Sequence, residues 1–173
     1  MVKKLYLGVD IGTYETKGVL VDHEGNIYNQ ASIKHEMIVP KPGWAEHSPK
    51  DVWWGDFVKI TKQLLKKKDI FPKQIKCVAV SAIGPCMLPI DNKTEPLYSG
   101  VLYGVDTRAT NEINYLNNTL GNEKIFNFGG NALTSQSIGP KILWLKTHHP
   151  DIYKKAEKIV TSTTFIVQKL TDQ

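Results

Sequence analysis

The feature that most constrains the fold is an apolar segment that runs into a glycine turn and continues as a second apolar segment. Residues 5–9 read Leu-Tyr-Leu-Gly-Val, residues 10–17 read Asp-Ile-Gly-Thr-Tyr-Glu-Thr-Lys, and residues 18–21 read Gly-Val-Leu-Val. Apolar, β-forming residues on both sides of a short turn predict two paired strands. We call residues 12–14 the glycine turn.

The residues at this turn suit the binding of a phosphate group. Gly12 lets the backbone approach a phosphate closely, and the Thr13 hydroxyl and the amides through Tyr14 can donate hydrogen bonds to its oxygens. Asp10 can hold Mg²⁺ or its waters, and Lys17 adds a positive charge nearby. The pattern is not a Walker loop, because that motif opens a helix, whereas strand character continues here. The alternative is an ordinary hairpin with a surface aspartate and lysine.

The first half of the chain is predicted to be mainly strands. Three strands with short turns between them form an antiparallel meander, at residues 4–10, 16–22 and 26–35. Ser48 is predicted to cap a helix with Pro49 in its first position, and this helix covers one face of the sheet. The continuous apolar run at 75–81 predicts a strand buried on both faces.

The second half of the chain is predicted to be mainly helical. Short strands at 87–90 and 100–103 precede the predicted helices, which lie at residues 108–120, 137–149, 150–156 and 163–170. Trp144 is interpreted as core packing. Strands followed by helices, with one buried central strand, predict a mixed α/β layer fold in one domain.

Composition excludes several functional classes. The hydrophobic fraction is 41%, the apolar runs are too short to span a membrane, and no signal-peptide cleavage site follows residues 1–20. The net charge is +5, but Arg108 is the only arginine among the 22 basic residues, which disfavours nucleic-acid binding. Cys77 and Cys86 lack metal-ligand spacing and are interpreted as reduced thiols, so we expect a cytoplasmic location.

Three sequence blocks carry a resemblance to a known family. The glycine turn resembles the phosphate-1 element of the actin, Hsp70 and sugar-kinase superfamily. Residues 42–54, Pro-Gly-Trp-Ala-Glu-His-Ser-Pro-Lys-Asp-Val-Trp-Trp, resemble the P-x-W-x-E-x-x-P-x-x-W-W run of the FGGY carbohydrate kinases, particularly the xylulose kinases. Residues 130–145, 150–153 and 169–171 are similar to the same family in order and spacing. The resemblance implies a ribonuclease-H-like α/β fold, a mixed sheet with flanking helices.

The resemblance also implies a function and a domain organisation. It implies transfer of the γ-phosphoryl group of ATP to a hydroxyl of a pentulose such as xylulose, or of a related polyol, with Mg²⁺ as cofactor. Asp10 would organise Mg²⁺ through water, the glycine turn would hold the phosphate, and Lys17 would neutralise charge. Family members continue into a second domain, so residues 1–173 are expected to be an incomplete first domain. The general-base aspartate and the adenosine-binding segment would lie outside them, leaving no catalytic base here and little activity alone.

The resemblance places three loops at the sugar site. Gly84 and Pro85 stand where xylulose kinases carry Met and His, so they are either a pocket wall or simply a rigid turn. Asp106 and Arg108 resemble the end of a W-x-D-x-R segment and suit hydroxyl recognition, with a helix cap and a salt bridge as the alternative. Gln136 aligns with a substrate-contacting position of glycerol kinases.

Two other functional classes remain as alternatives. The chain could be a non-catalytic remnant or pseudo-kinase that binds a sugar or a protein. An actin- or Hsp70-like interaction protein is disfavoured, because the blocks at 42–54 and 140–145 are typical of the kinases. The oligomeric state stays open, a homodimer included.

Overall fold

The computed structural model describes residues 3–172, which form eight strands and six α-helices. The strands are β1 (Leu5–Ile11), β2 (Glu15–Val21), β3 (Ile27–Lys34), β4 (Glu46–His47), β5 (Ile75–Ala82), β6 (Leu88–Ile90), β7 (Gly100–Val101) and β8 (Lys158–Val160). The helices are α1 (Gly55–Leu65), α2 (Thr110–Leu120), α3 (Asn122–Gly129), α4 (Ile138–His148), α5 (Pro150–Lys155) and α6 (Ser162–Thr171).

The main sheet has four strands in the order β3-β2-β1-β5. The predicted antiparallel meander of β1, β2 and β3 is confirmed, and β5 adds to β1 in parallel, so the sheet is mixed. Alternate residues of β1 and β2 are buried, because one face of the sheet lies against α1. The other face carries Asp10 and Lys17, which are direct partners across the two strands.

Helix α1 approaches the sheet closely at a glycine. Its buried side chains include Phe57, Ile60 and Leu64. A Cβ atom added to Gly18 would lie 3.0 Å from carbons of both Ile60 and Leu64, so glycine permits this packing. Ser48 caps the segment that leads into α1, as predicted, since the Asp51 amide donates to the Ser48 hydroxyl at 3.2 Å. That segment, Pro49–Trp54, is a π-helical turn, and regular α-helix begins only at Gly55.

The prediction that residues 75–81 are buried on both faces is wrong. Strand β5 lies at the edge of the sheet, paired only with β1 among the residues described, and most of its side chains are exposed. Apolar content alone cannot distinguish an edge strand from a central one, because strand order is a property of the tertiary structure.

A second layer of small sheets and helices packs beside the main sheet. β4 pairs with β7, and β6 pairs with β8. Trp144 is 3% exposed in a core cluster with Met87 and Val101, which confirms its assignment to packing. The sequence did not predict α3 or β8, and α2 begins at Thr110 rather than at residue 108. No helix within residues 3–172 combines the length and apolarity that a membrane crossing needs.

Candidate active site

The glycine turn is a tight connection between β1 and β2. The amide of Gly12 donates to the carbonyl of Glu15 at 2.9 Å, which leaves Thr13 and Tyr14 at the tip. Tyr14 is 59% exposed. Within the described part of the chain, the amides of Thr13 and Tyr14 have no hydrogen-bond acceptor. Two adjacent free N–H groups at an exposed turn can bind an anion.

A buried histidine lies under the turn. His47 in β4 is fully buried, its Nε2 is 3.0 Å from the Thr13 carbonyl oxygen, and its Nδ1 is 3.1 Å from the Trp53 indole nitrogen. An indole only donates and a carbonyl only accepts, so His47 carries its proton on Nε2 and is neutral. Burial, aided by the charge of His35, lowers the pKa of His47 to about 4.

A second histidine, directly after strand β3, supports the same turn. His35 lies 3.0 Å from Asp56 through Nδ1 and 3.2 Å from the Gly12 carbonyl through Nε2. Both partners are acceptors, because Asp56 also accepts from Lys59 at 3.1 Å and from Thr16 at 3.5 Å. Both ring nitrogens of His35 therefore face oxygen acceptors. Its ring meets the His47 ring edge to face, with centroids 5.1 Å apart.

The low pKa of His47 predicts acid sensitivity. The unfolded chain takes up the His47 proton near pH 6.5 and the folded chain only near pH 4. The unfolded state thus binds more protons in this window, and the free energy of unfolding should fall by up to about 3 kcal/mol as the pH drops through it. Urea unfolding between pH 7 and 4 measures this. His47→Gln should flatten the dependence, whereas His23→Gln, at an exposed histidine, should leave it unchanged. Equal slopes in all three proteins would contradict the assignment.

Asp10 and Lys17 lie in an open cleft of about 750 Å³ on the sheet face opposite α1. Asp10 is exposed and stands between Lys17 in β2 and Ser81 in β5. The Lys17 ammonium is 3.5 Å from Glu15 and 67% exposed, so it is free to turn toward an anion. No group of three or more metal-binding side chains occurs among residues 3–172. A single exposed carboxylate fits Mg²⁺, which keeps several waters and binds through one or two carboxylates plus phosphates.

Tyr103 joins the glycine turn to the loops predicted to hold the sugar. Its hydroxyl is 3.3 Å from the Thr13 hydroxyl. The next residue, Gly104, donates its amide to the exposed Gln136 side chain at 3.3 Å. A Cβ at Gly104 would come within 2.7 Å of the Gln136 amide nitrogen, so Gln136 fills the space that a larger residue at 104 would occupy. The contact of Tyr103 with Thr13 joins residues 90 positions apart and has no signal in the sequence.

The segment around Gly84 and Pro85 begins beside the glycine turn. Ile83 donates its amide to the carbonyl of Ile11 at 2.7 Å, directly before Gly12. Gly84 is exposed and Pro85 is half-buried, with a cis peptide bond between them. The structure therefore brings the glycine turn and the predicted 84–85 wall to the same end of the sheet.

Lys141 is a buried lysine that ties these loops together. Its ammonium donates to three carbonyls, those of Leu102 at 2.6 Å, Tyr103 at 2.8 Å and Ser135 at 2.7 Å. Burial lowers the pKa of Lys141 to about 8. The sequence placed Lys141 in a family-like block without giving it a role, because only the fold brings residues 102–103 and 135 within reach of one side chain.

Asp106 and Arg108 lie behind these loops rather than at the surface. Asp106 is fully buried and accepts from the Ala45 amide at 2.6 Å and from Arg108 Nη2 at 2.7 Å. The Arg108 guanidinium also reaches Glu46 at 2.8 Å and lies over the Trp44 ring at 4.0 Å. Both side chains are fully buried, and Arg108 Nη1 has no hydrogen-bond partner among residues 3–172. The salt bridge named as the alternative is present, but the helix cap is not, because α2 begins at Thr110 with Ala109 at its cap position and no side-chain cap. The sugar-site role stays a prediction.

Comparisons with known proteins define the class. The model for the N-terminal domain of the FGGY family of carbohydrate kinases matches residues 5–173. The chain belongs to this family. It is 32% identical over 152 residues to a glycerol kinase of Corynebacterium efficiens, covering 87% of this chain and 29% of that protein. It is 26% identical over 165 residues to a xylulose kinase of Lactococcus lactis subsp. lactis, covering 95% of this chain and 32% of that protein.

Solved structures show the same fold. The xylulose kinase from Rhodospirillum rubrum has a TM-score of 0.88 at 24% identity, over 98% of this chain and 35% of that chain. The gluconate kinase from Lactobacillus acidophilus has a TM-score of 0.85 at 24% identity, over 98% of this chain and 34% of that chain. The predicted ribonuclease-H-like fold of the sugar-kinase superfamily is thus confirmed. The chain spans about a third of the length of the relatives it matches.

Proposed function

We propose that residues 1–173 are the phosphate-binding and sugar-binding part of an ATP-dependent carbohydrate kinase. The observation that carries the proposal is the exposed turn with two free amides, at Thr13 and Tyr14, joined through Tyr103 to the loop of Gln136. A kinase needs its phosphate-binding and acceptor-binding groups side by side, because phosphoryl transfer is catalysed mainly by positioning and charge stabilisation.

The residues have distinct roles in this reaction. A substrate hydroxyl oxygen attacks the γ-phosphorus of ATP, the bond from that phosphorus to the bridging β,γ-oxygen breaks, and ADP leaves. The amides of the glycine turn hold the transferring group, and Lys17 offsets its charge. Asp10 would hold Mg²⁺ through water, and the metal would neutralise charge on the phosphates. The hydroxyl proton would pass to a carboxylate base, a role that we assign to no residue of 1–173.

The proposed acceptor is a pentulose such as xylulose, or a related polyol. The relatives include proteins named xylulose kinase and glycerol kinase, which supports this chemical class without choosing a member. Gln136 can both donate to and accept from a hydroxyl, and it is exposed beside Gly104. Gly84 and Pro85 offer a wall without a side-chain hydrogen bond, so the polar contacts must come from elsewhere in the pocket.

We expect the isolated chain of 173 residues to have no turnover above background, because the general base and the adenosine site would be missing. A coupled ADP-release assay with xylulose, ribulose, glycerol and gluconate measures this. The same assay on the polypeptide encoded by the complete reading frame should show turnover with one of these substrates. Robust turnover by the isolated chain would show that the base lies within it. Inactivity of both proteins, with sugar binding retained, would favour the non-catalytic alternative.

A further inference from the structure

Two histidines contact successive carbonyl oxygens of the glycine turn from its buried side. His35 Nε2 donates to the Gly12 oxygen at 3.2 Å, and His47 Nε2 donates to the Thr13 oxygen at 3.0 Å. The two rings come from different elements, β4 for His47 and the residue after β3 for His35. The turn is thus held by side chains 23 and 34 residues away along the chain.

These contacts fix the direction of the amides that a phosphate would meet. In a trans peptide the C=O of one residue and the N–H of the next point in opposite directions. The only cis bond in the described chain is Gly84–Pro85. A Gly12 oxygen directed at His35 therefore turns the Thr13 amide away from the core, and a Thr13 oxygen directed at His47 does the same for the Tyr14 amide. Neither amide has an acceptor within residues 3–172.

A second hydrogen bond orients each histidine ring so that its Nε2 faces the turn carbonyl. Trp53 is fully buried and donates to His47 Nδ1 at 3.1 Å, which leaves the proton on Nε2 for the Thr13 oxygen. Asp56 accepts from His35 Nδ1 at 3.0 Å, and the His35 and Asp56 side chains are only 6% and 3% exposed. Both histidines are thus oriented by a second buried partner.

We infer that His35 and His47 are positioning residues, which hold the Gly12 and Thr13 carbonyls inward and so aim the Thr13 and Tyr14 amides at the transferred phosphate. This inference rests on the proposed function of the turn. It adds that the orientation of the turn is set by the Trp53–His47 and Asp56–His35 pairs, not by the turn sequence alone. Neither histidine touches the substrate.

The test is a titration of the ¹⁵N-labelled chain with inorganic phosphate, followed at the Thr13 and Tyr14 amide signals. The wild-type chain should show saturable shifts at both signals. His47→Leu should weaken the apparent phosphate affinity by about five- to tenfold, because it removes one hydrogen bond to the turn. His47→Gln should recover most of the response, because its amide can donate to Thr13 and accept from Trp53. His23→Leu, at an exposed histidine on the β2–β3 turn, is the matched control and should respond like the wild type.

The outcomes separate the inference from the proposed function. A wild-type response that His47→Leu leaves unchanged would overturn the positioning role while the phosphate site stands. A wild-type chain with no response at either amide would overturn the inference together with the phosphate role of the turn, and turnover by the complete polypeptide would still identify a kinase. If His47→Leu does not fold, Trp53→Phe removes the indole donor together with part of the ring, and a response equal to wild type in that variant would contradict the proposed orientation of His47.

Discussion

Replacing Asp10 by alanine is expected to lower kcat of the proposed full-length kinase by about 10²- to 10³-fold, an effect typical of removing a group that stabilises transition-state charge. Asp10 is exposed on the sheet face opposite α1, and within the described chain its carboxylate makes no hydrogen bond or ion pair. The substitution should therefore leave the melting temperature nearly unchanged. Steady-state kinetics with varied Mg-ATP, beside a thermal melt of each protein, measures both quantities.

The matched control for Asp10 is Glu36→Ala, which removes another exposed carboxylate just after β3. Its kcat should equal that of the wild type. Asp10→Asn keeps the size of the side chain and removes its charge, so it should lose almost as much activity as Asp10→Ala. A normal kcat in Asp10→Ala would contradict the proposed role of Asp10 in holding Mg²⁺. A large drop in melting temperature would instead show that Asp10 stabilises the folded structure.

Asp106→Ala is expected to have the largest effect on stability, a loss of about 3–5 kcal/mol in the free energy of unfolding. Asp106 is fully buried, and its carboxylate accepts from the Ala45 amide and from Arg108. Truncation would leave the Arg108 guanidinium buried with only Glu46 as its anionic partner. Urea unfolding of the 173-residue chain gives the value directly.

The neighbouring Val105→Ala serves as the control, because Val105 is 43% exposed and should change stability by less than about 1 kcal/mol. An unchanged unfolding curve for Asp106→Ala would contradict the buried ion pair. The sugar KM of the same variant, measured in the complete kinase where it remains folded, tests the other role. A rise of about ten- to a hundredfold, the loss of one or more charge-assisted bonds, would support a sugar contact. An unchanged KM would leave Asp106 a structural residue.

The sequence predicted the elements whose pattern is local. The β1–β2–β3 meander follows from short strands separated by turn residues, and the Ser48 cap follows from one hydroxyl placed before Pro49. The glycine turn was recognised for the same reason, since Gly12, Thr13 and Tyr14 are consecutive. The family could also be inferred, because its motifs are short runs such as residues 42–54.

Only the tertiary structure decided how distant residues meet. It placed β5 at an edge, although its apolar run predicted a central strand, because apolar content does not encode the neighbours of a strand. It buried the Asp106–Arg108 pair and placed the Arg108 guanidinium over the Trp44 ring and beside Glu46, neighbours that the spacing of Asp106 and Arg108 does not encode. It brought His35 and His47 under the glycine turn, contacts that depend on packing across 23 and 34 residues and leave no periodic signal in the sequence.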